Sequence, residues 1–168
     1  MSETATHGRP RVMVVDDHLS MAEMLADGLN DHGFDAVALA SSGEAATRLG
    51  ENSFDALVTD LRMPHIDGME LLKISRVLAP ERPVIVMTAY SALEGGIESM
   101  RQGAFHYLIK PFKLDELVLF LNRALDASRI RREAVSLRKA LIEAESEPEG
   151  DDSFIVHARS EVHARSKR

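Results

Sequence analysis

Short hydrophobic runs alternate with longer amphipathic segments along most of the chain. The first run, at residues 11–15, is nearly continuous in apolar residues, as is typical of a strand buried on both faces of a parallel sheet. The same pattern predicts further strands at residues 34–40, 54–59, 83–87 and 105–109. Helical spacing between the strands predicts helices at 19–31, 43–49 and 67–78, a fourth with Leu93, Ile97 and Met100 on one face, and a fifth from about residue 114.

Five strands that alternate with five helices predict an α/β fold, a doubly wound parallel sheet with helices on both faces. In such folds the functional groups lie beyond the carboxyl ends of the strands. The predicted strand ends carry five polar residues, namely Asp16, Asp17, Asp60, Thr88 and Lys110. The sequence therefore predicts one polar site at this edge of the sheet.

Composition narrows the classes of protein that fit. The 168 residues carry a formal net charge of -7, which disfavours non-specific nucleic-acid binding, and they contain no cysteine, which excludes disulfides, thiolate metal sites and a cysteine nucleophile. No secretory signal and no apolar stretch long enough to span a membrane is present in the sequence. We expect a soluble, cytoplasmic protein without a membrane partner.

Three carboxylates that meet at one sheet edge repel one another unless a cation neutralises them. Oxygen ligands suit Mg²⁺, and a nearby lysine ammonium suits a phosphoryl oxygen. The residues alone therefore favour a magnesium-dependent phosphoryl site in which an aspartate is the nucleophile or a ligand. The alternative for each residue taken singly is an ordinary polar side chain at the end of a strand.

Four motifs resemble the receiver domain of two-component response regulators. They are VVDD at 14–17, DLRMP at 60–64 followed by DG at 67–68, VMTA at 86–89, and YLIKPF at 107–112. The resemblance covers about residues 10 to 126, with the motifs in the family's order and spacing. It implies a flavodoxin-like sheet of strand order 2-1-3-4-5.

Carried over to this sequence, the resemblance implies that Asp60 accepts a phosphoryl group from the phosphohistidine of a sensor histidine kinase. It implies that Asp17 and Asp60 ligate Mg²⁺ through their carboxylates and Arg62 through its backbone carbonyl. Asp16 is expected to act through a metal-bound water. Together with Lys110 and Thr88, these residues are the catalytic and metal-ligand set that the family pattern predicts.

The resemblance also implies a conformational switch. Lys110 corresponds to the lysine that pairs with the phosphoryl group, and Thr88 to the hydroxyl that responds to phosphorylation. Tyr107 corresponds to the switch aromatic, although a half-buried core tyrosine also explains it. The bond between Lys110 and Pro111 is expected to be cis. The implied protein is a signalling domain rather than an enzyme, with at most self-phosphorylation and self-dephosphorylation.

From about residue 126 onward, the sequence no longer alternates between strand and helix patterns. Apolar residues continue the last helix with heptad spacing at Ala127, Ile130, Ala134, Leu137, Leu141 and Ala144. We therefore predict a helical extension over 127–145 that forms a homodimer through the last helix and residues 127–144, as a coiled coil. The alternative is a single amphipathic helix that stays unpaired. The predicted organisation is a disordered N-terminus at 1–10, the receiver at 11–126, the extension, and a disordered acidic linker and basic tail at 146–168.

The receiver motifs and the arginine-rich helix are most similar to the nitrogen-regulator (NtrC-like) class. Members of that class continue into an ATPase module and a DNA-binding module, whereas no Walker A loop or helix-turn-helix occurs in this sequence. We expect either a natural single-domain regulator or a truncated longer one, and no direct DNA binding by these residues. Its output is then control of dimerisation or of a partner.

Three other functions stay open from the sequence. An aspartyl-phosphate hydrolase also uses an aspartate nucleophile and Mg²⁺, but the related family has a second aspartate two residues later, where this chain has Arg62. A phosphorylation-independent interaction protein does not need the complete set of site residues. A flavin-binding flavodoxin shares the fold class and is yellow when purified.

Overall fold

The structure, a computed structural model, describes residues 8–51 and 53–146. Residues 1–7 of the predicted disordered N-terminus at 1–10, and residues 147–168 of the predicted linker and tail at 146–168, lie outside the described residues. The strands are β1 (Arg11–Val15), β2 (Asp35–Leu39), β3 (Ala56–Asp60), β4 (Val84–Ala89) and β5 (His106–Lys110). The helices are α1 (Leu19–Asp31), α2 (Ser42–Glu51), α3 (Gly68–Leu78), α4 (Leu93–Arg101) and α5 (Leu114–Ser146), with a short 3₁₀ turn at Tyr90–Ala92.

All four strand pairings are parallel, and the sheet order is β2-β1-β3-β4-β5, which confirms the predicted topology. This order places β1 and β3 side by side in the middle of the sheet. Strand β2 lies on one side of β1, and strands β3 to β5 lie on the other, so the strand order reverses between β1 and β3. Crevices of doubly wound sheets open at such a point. The residues that follow β1 and β3 therefore share one crevice.

The core has two layers because successive side chains of a strand point to opposite faces of the sheet. In β1, Val12 and Val14 pack with α1 and α5, whereas Met13 and Val15 pack with α2 and α3. All four side chains are fully buried. Burial on both faces explains why the strand lacks polar alternation in the sequence.

The structure differs from the sequence prediction in the packing of α4. Ile97 and Met100 share a face, as predicted, but their side chains are 44% and 40% exposed. The residues of α4 that face the sheet are small, and they include Gly96 and Ser99. Small residues let the helix backbone approach β4 and β5 closely, so the apolar side chains are turned outward.

The edge strand β2 is partly covered by a side chain from α1. The Asn30 Nδ2 donates to the carbonyl oxygen of Ala36 at 3.3 Å, and the Ala36 amide donates to Asn30 Oδ1 at 2.7 Å. The side-chain amide thereby satisfies both backbone groups of an edge residue.

The helix α5 is continuous from Leu114 to Ser146. Its buried residues, Leu117, Leu121, Ala124 and Ser128, are spaced by four, three and four positions. The chain divides into two units after residue 130, and the described part of the second unit is helical throughout. The boundary at residue 126 and the coiled coil remain predictions. Among the described residues, no helix is both long and apolar enough to cross a membrane.

Candidate functional site

Asp16 is a fully buried carboxylate directly after β1. Its Oδ2 accepts a hydrogen bond from Lys110 Nζ at 2.8 Å, and its Oδ1 accepts one from the His18 backbone amide at 3.0 Å. The ammonium comes from the end of β5, so the ion pair joins two strands that are far apart in the sequence. A buried carboxylate with two such donors keeps a defined position.

Asp17 and His18 form the outer part of the site. The Asp17 carboxylate is 29% exposed, and its Oδ1 lies 3.3 Å from His18 Nδ1. The same imidazole nitrogen lies 3.4 Å from Asp16 Oδ1. His18 is the N-cap residue of α1, but its side chain makes no capping hydrogen bond. The imidazole therefore faces the two carboxylates rather than the helix terminus.

Asp60 is the last residue of β3 and lies in the same crevice. Its Oδ1 accepts a hydrogen bond from the Leu61 amide at 2.9 Å, and its Oδ2 lies 3.5 Å from Lys110 Nζ. The side chain is 13% exposed, so it can be reached from solvent. Lys110 thus bridges the carboxylates of Asp16 and Asp60.

The site contains more negative than positive groups, with three carboxylates and one ammonium. Burial raises the pKa of Asp60 above its ordinary value, and the nearby charge of Asp16 adds to the rise, against the opposing effect of Lys110. For Lys110, burial acts to lower the pKa, but the hydrogen bond with Asp16 and the charges of Asp60 and Asp16 raise it overall. The lysine therefore stays protonated, while ionisation of Asp60 is disfavoured.

The predicted switch residues lie beside this crevice, at the packing surface of α4. The Thr88 hydroxyl is buried and donates to the carbonyl oxygen of Ala92 at 3.1 Å. Tyr107 is half-buried in β5. A Cβ at Gly96 would lie 3.1 Å from the Tyr107 ring and 3.2 Å from the Thr88 methyl group. The two predicted switch residues and α4 are thus in direct contact.

Arg62 occupies the loop after β3, and its side chain is exposed. It lines a groove of about 980 Å³ together with Met63, Asp67 and Tyr90. This groove lies between the loops that follow β3 and β4 and is next to the carboxylates rather than over them. The Lys110–Pro111 peptide bond is cis, as the resemblance implied.

The residues present fit a hard divalent cation. Three carboxylates are gathered against one ammonium, and carboxylate oxygens are the donors that Mg²⁺ prefers. Asp16 and Asp17 offer oxygens close enough to bind one ion. The crevice also leaves one oxygen of Asp16, Oδ1, directed away from Lys110.

Two features of the site were not predicted from the sequence. The His18 side chain is 77% exposed, yet its Nδ1 lies against the carboxylates of both Asp16 and Asp17. The hydrogen bond from Thr88 to Ala92 was not foreseen, because a backbone acceptor carries no residue-type signal. The only sequence signal for the contact of His18 with the carboxylates is its position directly after Asp16 and Asp17.

The chain matches the family described as response regulator receiver domain over residues 12–122. It belongs to that family. Receiver domains are the signalling domains of two-component systems, they are phosphorylated by histidine kinases, and they typically bind Mg²⁺ through acidic residues. The match spans the strand-end residues described above, from Asp16 to Lys110.

Relatives of the nitrogen-regulator class match the receiver region. The chain is 39% identical over 132 residues to the regulatory protein AtoC of Escherichia coli, covering 78% of this chain and 28% of AtoC. It is 34% identical over 134 residues to a putative NtrX-like response regulator of Rickettsia conorii, covering 79% of this chain and 28% of that protein. The chain therefore spans little more than a quarter of the length of these relatives.

Solved structures show the same fold. A receiver domain from Clostridium thermocellum is 29% identical, with a TM-score of 0.69, over 72% of this chain and 98% of that one. NtrX from Brucella abortus, solved in complex with ADP, is 27% identical, with a TM-score of 0.73, over 77% of this chain and 30% of that one. These similarities support the NtrC-like class that the motifs indicated.

Proposed function

We propose that this chain accepts a phosphoryl group on Asp60 from the phosphohistidine of a sensor histidine kinase, in a reaction that depends on Mg²⁺. The observation that carries the proposal is the position of the Asp60 carboxylate. It is solvent-accessible at the end of β3, 3.5 Å from the Lys110 ammonium that also holds Asp16. A nucleophile, a counter-charge and a metal-ligating carboxylate pair thus share one crevice.

In the proposed transfer, a carboxylate oxygen of Asp60 forms a bond to phosphorus as the bond between phosphorus and the imidazole nitrogen of the kinase breaks. The electron pair of the broken bond stays with the imidazole, which takes up a proton. Lys110 stabilises the charge on the phosphoryl oxygens, and the Leu61 amide orients the acceptor carboxylate. When bound, Mg²⁺ supplies further compensation of this charge. Asp17, Asp60 and the backbone carbonyl of Arg62 would hold it directly, and Asp16 would hold it through a metal-bound water.

The proposed switch begins at Thr88. Its hydroxyl is now engaged by the carbonyl oxygen of Ala92, so it must release this acceptor to donate to a phosphoryl oxygen. That release loosens the start of α4, against which Tyr107 packs next to Gly96. We propose that Tyr107 turns inward as Thr88 is withdrawn. A phosphoryl group can shift the equilibrium only as far as its contacts differ between the two states.

We further propose that the output is homodimerisation or control of a separate partner, without direct DNA binding by this chain. The support is the surface of the helical extension. Ile130, Leu137 and Leu141 are each more than half exposed and recur at heptad spacing. Exposed apolar side chains in such a row are suited to pairing with the same row of a second copy.

The test is phosphorylation of the full chain by a small-molecule phosphodonor, followed by intact-mass measurement with Mg²⁺ and with a chelator. We expect one phosphoryl group per chain, only with Mg²⁺, and none in Asp60→Asn. Asp67→Asn is the matched control. It removes a neighbouring carboxylate, but asparagine preserves the N-cap that Asp67 provides to α3 through the Glu70 amide.

Two results would overturn the proposal. One is a phosphoryl group that persists in Asp60→Asn, which would place the acceptor elsewhere. The other is steady hydrolysis of phosphate esters by the wild-type protein, which would favour the hydrolase alternative. A single stoichiometric modification supports the receiver function.

A further inference from the structure

We propose that Leu61 is a positioning residue that couples the chemical state of Asp60 to the fourth helix. Packed against Gly95, it holds α4 in the position described above, and it releases the helix when Asp60 carries a phosphoryl group. The inference rests on the proposed function, because it requires a phosphoryl group on Asp60. It goes beyond that function by assigning a second route to α4, separate from the hydroxyl of Thr88.

The backbone of Leu61 connects the acceptor carboxylate to two neighbouring elements. Its amide donates to Asp60 Oδ1 and to the carbonyl oxygen of Met87 in β4, both at 2.9 Å. Its carbonyl oxygen accepts a hydrogen bond from the amide of Gly68, the first residue of α3, at 2.8 Å. The amide is thus shared between the acceptor and a strand carbonyl, so a change at the carboxylate alters the forces that hold Leu61.

The side chain of Leu61 reaches α4 at a glycine. Leu61 is 8% exposed, and a Cβ at Gly95 would overlap its Cδ2 methyl group, so the leucine fills the space of the missing side chain. The next residue of the helix, Gly96, meets Tyr107 and Thr88 instead. Adjacent residues of α4 are therefore held by different parts of the site, one by the residue after the acceptor and one by the predicted switch residues.

Phosphorylation would change the hydrogen bond that positions Leu61. In the described state Asp60 Oδ1 belongs to a carboxylate, and hydrogen bonds to ionised acceptors are roughly twice as strong as neutral ones. In an acyl phosphate the charge lies on the phosphoryl oxygens, so both oxygens on the carboxyl carbon of Asp60 become weaker acceptors. The Leu61 amide then keeps mainly the Met87 carbonyl, and its side chain is held less firmly against Gly95.

Coupling between the acceptor and the helix is reciprocal. If a group bound at Asp60 loosens the contact between Leu61 and α4, then loosening this contact by substitution must raise the affinity of Asp60 for that group. The contact can be loosened from either side, at Leu61 or at Gly95. Because both substitutions act on one contact, their effects on the affinity should not add.

The experiment measures the affinity of the full chain for beryllofluoride, a phosphoryl mimic, in saturating Mg²⁺, and fluorine NMR counts the bound mimic. Gly95→Ala adds a methyl group against Leu61. Leu61→Val keeps the backbone amide but lacks the Cδ atoms, and a loss of one methylene group is small enough for the protein to fold. The double variant completes the cycle. Gly50→Ala in α2 is the matched control, because its Cβ would meet Leu78 at an ordinary 3.9 Å.

We expect Gly95→Ala and Leu61→Val each to raise the beryllofluoride affinity about threefold or more, and the double variant to show no more than the larger single effect. Gly50→Ala should change the affinity by less than about 1.5-fold. Without the mimic, the amide NMR signals of Gly95 and Gly96 in the Leu61→Val variant should shift towards their positions in the bound wild type. A merely structural role of Leu61 would lower Tm and leave both the affinity and these signals unchanged.

The independence of this route from Thr88 is tested with Thr88→Val, which nearly keeps the shape of the side chain but removes the hydroxyl that donates to Ala92. With bound beryllofluoride counted by fluorine NMR, we expect the Gly95 amide signal of Thr88→Val still to respond to the mimic. The response should be lost when Leu61→Val is added. A response already absent in Thr88→Val would assign all of the coupling to the hydroxyl and overturn the inference.

Failure of this inference is distinguishable from failure of the proposed function. The inference fails if Gly95→Ala does not raise the affinity, or if the effects of Gly95→Ala and Leu61→Val add. Beryllofluoride that does not bind the wild type, or binds Asp60→Asn equally well, would instead overturn phosphorylation of Asp60. Binding that requires Asp60 but is insensitive to Gly95→Ala would leave the receiver function standing and remove Leu61 as a coupling residue.

Discussion

Asp60 carries a negative charge that its surroundings disfavour. Burial and the neighbouring Asp16 both raise its pKa, and Lys110 compensates only in part because its shortest contact is with Asp16. The proposed nucleophile, which must be ionised to act, is thus held in its charged form at some cost in stability. A cation in the crevice would relieve that cost.

We predict that Asp60→Asn stabilises the protein at neutral pH in the absence of divalent cations. A carboxyl group whose folded pKa is raised binds protons more tightly in the folded state than in the unfolded state, so stability falls as pH rises through the two pKa values. The substitution removes this loss. The expected gain is on the order of 1 kcal/mol, or about 2–4 °C in Tm.

The measurement is a thermal melt of both proteins at a series of pH values, with and without Mg²⁺. The gain should disappear below the unfolded pKa of the aspartate, about 3.9, where the carboxyl group is protonated in both states. It should also shrink in Mg²⁺. An equal gain at all pH values would mean that charge is not its source.

At the residue scale, residue type and strand-end position predicted which side chains meet at the candidate site. Asp16, Asp60 and Lys110 were predicted to converge because parallel strands end at one edge, and the structure brings them together. Arg82 was not foreseen. It is 6% exposed, and its guanidinium donates to the carbonyl of Phe54 at 3.0 Å and to the Ser75 hydroxyl at 3.2 Å. A charged residue whose partners are backbone and hydroxyl oxygens leaves no pattern in a sequence.

The fourth helix shows how a helix can be placed by small residues. Gly96 meets the Tyr107 ring and the Thr88 methyl group, so the space that a side chain would occupy is taken by the two predicted switch residues. A displacement of Tyr107 or Thr88 would therefore push directly on the backbone of α4. The glycine makes this contact possible at the cost of intrinsic helix propensity.

We predict that Gly96→Ala destabilises the protein, although alanine is the better helix former. The new methyl group would lie 3.1 Å from the Tyr107 ring, so the ring or the helix must shift. We expect a loss of about 1 kcal/mol. Gly50→Ala in α2 is the control, because its Cβ would meet only the Leu78 methyl group at an ordinary 3.9 Å, and it should gain up to roughly 1 kcal/mol.

Chemical denaturation measures both stabilities, and the NMR signals of the Tyr107 ring report its displacement. Stabilisation by both substitutions would show that the space beside Gly96 is not restrictive. A shift of the Tyr107 signals in Gly96→Ala alone would connect the helix to the aromatic side chain.

At the scale of elements, the sequence predicted which helices and strands form and in what order. It did not predict which face of a helix packs against the sheet. The strands and helices occur where hydrophobic periodicity predicted them, with ends displaced by a few residues; β4, for example, continues to Ala89 rather than residue 87. For α4, periodicity identified an apolar face, and packing selected the face with Gly96 and Ser99. Periodicity reports hydrophobicity, whereas close approach to a sheet depends on size.

The helical extension contributes a group of large exposed apolar side chains to the described residues. Besides the predicted row at Ile130, Leu137 and Leu141, the exposed Val135 and Ile142 lie seven and fourteen positions after Ser128. In the sequence they continue the spacing of the residues that α5 buries within the receiver. The heptad pattern predicted the row at Ile130, Leu137 and Leu141 but not the row at Val135 and Ile142. A single heptad assignment places only one row of residues at the interface.

We predict that Leu137→Glu abolishes self-association induced by beryllofluoride and Mg²⁺. A charge in the centre of an apolar row cannot be buried without a partner. Ser136→Glu adds the same charge at a neighbouring exposed position outside the row and should leave association intact. Molar mass is measured by light scattering after size-exclusion chromatography.

A dimer in the wild type and Ser136→Glu, with a monomer in Leu137→Glu, is the expected result. A monomeric wild type under all conditions would transfer the output to a separate partner. A mass unchanged by Leu137→Glu would show that association uses another surface.

The contact between Asn30 and β2 affects the tendency of the folded protein to aggregate through its sheet edge. An open parallel sheet has two edges, and an unpaired edge can recruit a strand from another molecule and begin aggregation. By occupying both backbone groups of Ala36, the Asn30 amide removes the donor and the acceptor that an incoming strand would need at that residue. Asp35, charged and exposed on the same strand, adds a second obstacle. Self-association through the helical extension, as proposed above, would then meet no competition from strand pairing at Ala36.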